Sequence, residues 1–186
     1  MFFRSLYAIV ALMFLSTPLF AVGTNFNVAS VFNEGLSING ETDTVFGGPI
    51  IYTTTTLTIA DAVLLDAQDG SQTFAGTFSG PATGQRGEIT ILGNPGATVE
   101  VFCTRIATMT DGAGGSFPVV MTSSTGSPEV LCNNLGSPSQ TITLAPPHTV
   151  NFGARLRGDL AVGFNGGDYS TANAGGSDVQ IDAIYQ

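Results

Sequence analysis

A single histidine, His148, occurs in the 186-residue chain, within the stretch APPHTV. A serine or cysteine nucleophile that needs a histidine base would have to use this residue. Two prolines precede it, which is typical of an exposed turn at the entrance to a strand, and the sequence has no Gly-x-Ser-x-Gly motif to present a serine. We therefore predict that His148 is a turn residue and that the chain contains no catalytic residue.

Two pairs of acidic residues invite comparison with glycosidases: Glu88 with Glu100, and Asp178 with Asp182. Those enzymes hold two carboxyl groups on either side of the scissile bond. Here both pairs lie in segments where apolar and polar residues alternate, which places them on the solvated faces of strands. Trp, a frequent platform for sugar rings, is absent from the sequence. We predict that the protein is not an enzyme.

Calcium would suit an acidic exported β-protein, and it takes about six to eight oxygen ligands. Residues 66–70, DAQDG, offer two acids but lack the third acid and the closing Glu of a calcium loop, and residues 165–178 are rich in glycine but also hold only two acids. The sequence contains no phosphate-binding or dinucleotide-binding glycine motif. We therefore predict no metal site and no cofactor.

The two cysteines, Cys103 and Cys132, are predicted to form a disulfide. A metal or redox pair would call for a Cys-x-x-Cys spacing or histidine partners, and neither is present. Disulfides are typical of exported chains, and the sequence begins with features of export.

The first 21 residues resemble a secretory signal peptide. Arg4 precedes an apolar run over residues 6–15, followed by Pro18 and by a small residue, Ala21. The run is short for a membrane span. We predict cleavage after Ala21, with Gly23 as the other candidate position, and no integral membrane segment in the mature protein.

The charge balance excludes one class of partner. The chain carries five Lys or Arg residues against 14 Asp or Glu, and removal of residues 1–21 takes Arg4 away as well. A surface so acidic repels phosphate backbones, so we predict no binding of nucleic acid.

Period-two patterns dominate the remainder of the chain. Segments such as GEITILG (87–93), ATVEVFCTRI (97–106) and IIYTTTTLTI (50–59) alternate in polarity or are rich in β-branched residues, and turns rich in Gly, Pro, Asn and Asp separate them. Several short strands without a helical period predict an all-β fold, an Ig-like antiparallel β-sandwich over residues 36–186. A small β-barrel or a jelly roll is the alternative.

Residues 22–35, VGTNFNVASVFNEG, form a separable amphipathic strand in this interpretation. Phe26, Val28 and Phe32 fall on its apolar face, and a strand of this kind at a mature N-terminus needs a groove in which to lie. The three residues are therefore candidate donors in a strand exchange between chains.

The last ten residues, SDVQIDAIYQ, alternate with the same period. Val179, Ile181 and Tyr185 share one face and are predicted to line an acceptor edge. We expect that edge to pair with a chaperone, with the N-terminal strand of a neighbouring subunit, or with the chain's own residues 22–33.

Two stretches resemble a bacterial secreted family, domain of unknown function 4402. The matching residues are the turn Gly93, Pro95, Gly96 and Ala97, then Gly158, Leu160 and Val162, then Gly167, Tyr169 and Ser170, and lastly Tyr185. The ending, Tyr185 and Gln186, is also similar to that of chaperone–usher pilus subunits. These resemblances imply a pilin-like β-sandwich without established activity.

The expected function is therefore that of an exported structural subunit that assembles with copies of itself or with other fibre subunits. The resemblances imply a periplasmic chaperone as a further partner, and a location in the periplasm, at the cell surface or outside a Gram-negative cell. An envelope-associated module that binds a carbohydrate or another ligand through Tyr52, Tyr169 or Phe is the alternative.

Overall fold

Antiparallel strands account for nearly all of the regular structure in a computed structural model that describes residues 35–126, 128–134 and 136–186. These residues belong to one unit of the chain, Asn33–Gln186. The predicted signal peptide and the donor residues Phe26, Val28 and Phe32 lie outside the described residues. The strands are β1 (Ser37–Thr42), β2 (Ile51–Tyr52), β3 (Ala62–Leu65), β4 (Gln72–Ala75), β5 (Phe78–Ser79), β6 (Gly87–Leu92), β7 (Thr98–Cys103), β8 (Ile106–Thr110), β9 (Ser116–Ser124), β10 (Val130–Leu131), β11 (Gln140–Thr143), β12 (His148–Arg157) and β13 (Ile181–Tyr185), and a 3₁₀ helix spans Gly158–Leu160.

The larger sheet has eight strands and is organised around the long strand β12. One edge of β12 pairs first with β6 and then with β3, and its other edge pairs with β9. Strand β1 extends the sheet beyond β6, β4 extends it beyond β3, and β8 and β10 both pair with β9. All of these pairings are antiparallel.

The smaller sheet has three strands in the order β11-β7-β13, and β2 pairs with β5 in a separate two-stranded sheet. None of the sheets in the described part of the chain closes on itself. The all-β, antiparallel sandwich predicted from the sequence is therefore confirmed, in preference to the closed alternative.

The core lies between the larger and the smaller sheet, and the alternating pattern supplies it. In β7 the residues Val99, Val101 and Cys103 are fully buried, while Glu100 between them is not. In β12 the residues Val150, Phe152, Ala154 and Leu156 face inward in the same way. Each inward Val, Leu or Phe side chain contributes roughly 1.5–3 kcal/mol of transfer free energy, which is why the period of two fixes the faces so firmly.

The predicted disulfide is present and joins the two sheets. Cys103 ends β7 in the smaller sheet, and Cys132 follows β10 in the larger one. The sulfur atoms are 2.02 Å apart, and both residues have no exposed surface. The bridge therefore ties the sandwich together across its core.

The C-terminal strand has a partner that the sequence did not indicate. β13 pairs along its length with β7, from Ile181 opposite Cys103 to Tyr185 opposite Val99. We expected this strand to pair with a chaperone, with a neighbouring chain or with residues 22–33. The pairing with β7 was not among these expectations. Its alternation is as predicted, since every second residue from Val179 to Tyr185 is partly buried.

The threonine-rich run is largely not a strand. Only Ile51–Tyr52 of residues 50–59 pairs, with β5, and residues 53–59 form bends and irregular backbone. Thr54 and Thr58 accept hydrogen bonds from nearby backbone N–H groups, so local turns replace the ladder that the β-branched composition predicted. In the described chain we find no helix with the length and apolar character needed to cross a membrane.

Two buried threonines make a matched test of the core. Thr122 is 6 % exposed, and its hydroxyl finds no hydrogen-bond partner in the described structure, whereas Thr110 is 7 % exposed and its hydroxyl donates to the Ala174 carbonyl at 2.9 Å. Thr122→Val is expected to raise the free energy of unfolding by about 1 kcal/mol, and Thr110→Val to lower it by about 1 kcal/mol, because only the second change breaks a hydrogen bond. Urea unfolding of both variants checks this, and equal shifts would contradict it.

Candidate functional site: a groove beside the C-terminal strand

A groove of about 1130 Å³ runs over the inner face of the larger sheet. We define the groove by its floor and its two walls. The floor consists of apolar side chains from β6, β8, β9 and β12, among them Ile89, Met109, Phe117, Val119, Phe152 and Leu156. One wall is residues 41–46 and 48–50, from the end of β1 to the residue before β2, and the other is residues 164–172 and 178–181, which reach the start of β13.

The groove exists because the smaller sheet does not cover the larger one. Three strands face eight, and β13 is the last strand of the smaller sheet on this side. The floor side chains from β6, β9 and β12 are themselves at most 4 % exposed, whereas Met109 of β8 and the wall residues Val179 and Ile181 are partly buried.

The hydrogen-bond register shows how β13 presents its outer edge. Thr104 N–H donates to the Gln180 carbonyl and Gln186 N–H donates to the Thr98 carbonyl, both across the ladder to β7 and its extension. In an antiparallel ladder the intervening residues direct their N–H and C=O groups to the opposite side. The backbone groups of Ile181 and Ala183 thus face outward, and no strand in the described part of the chain pairs with that edge. An exposed edge next to an apolar floor is a template for an added strand.

The structure brings together two of the three predicted acceptor residues. Val179 and Ile181 line the groove and pack against the core. Tyr185 lies at the other end of β13, where its hydroxyl accepts a hydrogen bond from Asn94 N–H at 2.9 Å. A Cβ at Gly93 would lie 2.4 Å from that hydroxyl, so the Gly-Asn-Pro-Gly turn needs a glycine there to receive Tyr185.

The described part of the chain begins near the Tyr185 end of β13. Leu36 also contacts Gly93, because a Cβ at Gly93 would lie 3.0 Å from its Cδ1, and Ser37 is opposite Leu92 in the ladder between β1 and β6. The first described residues therefore lie at the end of β13 that is away from Val179 and Ile181.

A cluster of five aromatic rings lines part of the groove, and the sequence did not reveal it. Phe164 is at its centre, with its ring centroid 4.8 Å from that of Tyr52 and 5.5 Å from that of Phe117, in edge-to-face geometry. Tyr169 and Phe78 complete the cluster. Phe164 lies in a glycine-rich loop without strand periodicity, and that loop gave no sign that its aromatics pack inward.

Tyr52 and Tyr169 were the candidate sugar platforms. Both belong to this packed cluster and are partly buried, and the hydroxyl of Tyr169 donates to the Asn165 carbonyl at 3.1 Å. Tyr52 meets Phe164 at 65° and Tyr169 meets Phe117 at 89° and Phe164 at 32°, so both rings pack against other aromatic rings.

The charges on the walls all have one sign. Glu41 and Asp43 belong to the first wall, Asp168 and Asp178 to the second, and no Lys, Arg or His belongs to the described lining. The four acidic residues are exposed. None of them takes part in an ion pair with a described residue.

The carboxylates that resembled catalytic pairs do not face each other. Glu88 alternates with buried residues of β6 in the larger sheet, and Glu100 alternates with buried residues of β7 in the smaller sheet. The two carboxylates therefore lie on the opposite outer faces of the sandwich. Asp178 lines the groove while Asp182 is exposed beyond it. His148 is the first residue of β12, directly after the two prolines.

The acidic loop at 66–70 uses its carboxylates locally. Asp66 accepts a hydrogen bond from Gln68 N–H and Asp69 accepts one from Ser71 N–H, and the bonds from Ser71 lower the pKa of Asp69. Within the residues that the structure describes, no group of three or more His, Cys, Asp or Glu side chains is arranged to hold a metal ion.

Asp61 is a buried carboxylate that sequence reasoning did not single out. It is 3 % exposed and accepts four hydrogen bonds: from the backbone N–H and hydroxyl of Thr77 at 2.7 and 2.8 Å, and from those of Thr58 at 2.6 and 2.8 Å. These bonds, those from Thr77 first, lower the pKa of Asp61 to about 2. Gly76 has a positive φ and passes so close to this carboxylate that a Cβ would collide with it.

The lowered pKa predicts a pH-dependent contribution to stability. An aspartate whose folded pKa is below its ordinary value of 3.8 stabilises the fold fully above that value, and the contribution is lost as the pH falls toward 2. Asp61→Asn should lower the melting temperature by about 5 °C or more at pH 6, because an amide cannot accept all four bonds. The gap to the wild type should narrow between pH 4 and pH 2.

Thermal denaturation at stepped pH measures both effects. Asp182→Asn is the matched control, since Asp182 is exposed, and it should leave the melting temperature within about 1 °C. A gap that stays constant down to pH 2 would show that the charge of Asp61 has no part in the stabilisation.

Comparison of the chain with protein-family models, with curated proteins and with solved structures gives no match.

Proposed function

We propose that the protein is an exported structural subunit that assembles head to tail with copies of itself, each chain adding its N-terminal strand to the β13 edge of the next. The observation that carries this proposal is the groove, where an apolar floor lies directly beside the outward-facing backbone of Ile181 and Ala183. Strand addition supplies main-chain hydrogen bonds along such an edge and inserts alternate side chains into the floor.

The N-terminal segment has the properties of such a strand. Residues 22–34 comprise 13 residues, which reach about 43 Å when extended. Phe26, Val28 and Phe32 recur at even positions, as a strand with one apolar face requires. The likeness of the sequence to a pilin-like secreted family and to chaperone–usher subunits supports the same function, and a periplasmic chaperone that covers the groove before assembly belongs to the proposal.

The position of the N-terminal entry favours exchange between chains. Leu36, at the start of the described chain, lies at the Gly93 turn that receives Tyr185, at the opposite end of β13 from Val179 and Ile181. A donor at one end and an acceptor at the other form a heterologous contact, which repeats as an open filament rather than closing as a dimer.

Deletion of residues 22–33 from the mature chain tests this function. We expect the mature protein to form filaments in negative-stain electron microscopy, and the shortened chain to remain a folded monomer by circular dichroism and analytical ultracentrifugation. If the shortened chain is unfolded, the segment pairs within its own domain and the proposal fails. Discrete monomers from the full mature chain under all conditions would be equally decisive against it.

A further inference from the structure

We propose that the groove recognises the positively charged amino terminus of the incoming strand, so that assembly depends on the α-amino group that signal-peptide cleavage creates. This inference rests on the proposed function and on cleavage after Ala21. It names the chemical feature by which the site distinguishes a processed neighbour from an unprocessed one.

The walls of the groove carry negative charge, which is opposite to the charge of an amino terminus. Each wall carries two exposed carboxylates, Glu41 and Asp43 on one side and Asp168 and Asp178 on the other. No cation lies in the described lining to balance them. Their fields add in the space between the walls, and next to an apolar floor they are screened less than on an open surface.

The incoming strand has one positive group to offer. Residues 22–34 contain neither Lys nor Arg, so the α-amino group of residue 22 is the only cation in the segment. It is protonated for most of the time at neutral pH, since its ordinary pKa is about 7.7–8.0.

Among the described residues, no cation competes for the groove. Lys is absent from the sequence, and none of the four arginines beyond the predicted signal peptide lines the groove. Arg86 bonds the Gln68 carbonyl and pairs with Glu88, and Arg157 pairs with Asp159.

An uncleaved chain would present a different segment. Residue 22 would then be an internal amide preceded by the apolar sequence STPLFA, and the carboxylates would gain no partner. The acidic walls would thus disfavour polymerisation of unprocessed protein. Protein interfaces commonly reject wrong partners in this way, through like charges and through charged groups left without a partner.

Two synthetic peptides with the sequence of residues 22–34 test the inference as inhibitors of assembly of the full mature chain. One has a free amino terminus and the other is acetylated, so they differ in one charge. Followed by light scattering at low salt, the free peptide should inhibit at a roughly fivefold lower concentration than the acetylated one. The difference should largely disappear at about 0.5 M salt.

Variants of the mature chain test whether the carboxylates of the groove cause the difference between the two peptides. Asp178→Asn should shrink the advantage of the free peptide, whereas Asp182→Asn, a change of the same kind outside the groove, should leave it intact. Equal inhibition by the two peptides at low salt overturns the inference and leaves the proposed function standing. Assembly that neither peptide inhibits, or no assembly at all, overturns both.

Discussion

Replacing Cys103 and Cys132 together by alanine is expected to lower the free energy of unfolding by about 3–4 kcal/mol, a large share of the total for a domain of this size. The bridge closes a loop with a sequence separation of 29 residues, and the chain-entropy model gives this amount for the freedom that the unfolded chain regains. Urea unfolding of the oxidised wild type and of the double variant measures the difference.

The position of the bridge adds a reason for a large effect. β7 and β8 are separated by only two residues but belong to different sheets, and β10, which precedes Cys132, contributes only two residues to its ladder. Without the bridge, the segment is held by the two-residue pairing of β10 with β9 and by the hydrogen bonds of Asn134 with Cys103 and Arg105. We therefore expect local opening near residues 122–134, visible in amide hydrogen exchange, before global unfolding.

Reduced wild-type protein is the control for the lost sulfur atoms. Both cysteines are fully buried, so the alanine variant also loses packing, whereas reduction removes only the cross-link. The reduced wild type should lie between the oxidised wild type and the double variant. A double variant within about 1 kcal/mol of the oxidised protein would contradict the prediction.

Replacing Ile181 by aspartate is expected to abolish assembly, while the same replacement at Ile184 leaves assembly intact. The two residues lie on one strand, three positions apart, and face opposite sides: Ile181 lines the groove and Ile184 is 50 % exposed on the outer face. A carboxylate at 181 would stand among apolar side chains and beside walls that are already acidic, so the apolar face of the donor strand could not pack there.

The stability of both variants must be measured alongside assembly. Ile181 also packs against the core, so circular dichroism and thermal denaturation establish whether the variant is folded. Val179→Ser is a milder change in the same groove, and it should weaken assembly about tenfold or more without unfolding the domain. Filaments formed equally well by the Ile181, Val179 and Ile184 variants would remove the groove from the assembly model.

The sequence alone sufficed for features that depend on local alternation. A side chain in a strand has two faces to choose from, so the pattern of the last ten residues specified their buried side correctly. The disulfide could be predicted because two cysteines allow only one pairing. The all-β class followed from the same periodicity together with the turn residues.

The sequence was misleading where a strand was predicted from β-branched composition and not from an alternation of apolar and polar residues. The threonine run at 53–59 has the right residues for a strand, but β-propensity describes how a side chain fits a sheet surface and does not provide the sheet. For Phe164 and Tyr169 the error was the opposite one, because the sequence showed no sign of structure that is present. Their glycine-rich loop reads as solvent-exposed, while their rings complete an aromatic cluster with Phe117.

The partner of β13 and the existence of the groove were decided only by the tertiary structure. An alternating strand shows which of its faces is apolar, but its pairing depends on backbone groups that every residue carries and that leave no mark on the sequence. Thus Val179, Ile181 and Tyr185 were recognised as one face, whereas the docking of Tyr185 onto the Asn94 turn and the opening of the floor beside Ile181 were not. Those depend on three strands covering a sheet of eight, a property of the assembled sheets and of no single segment.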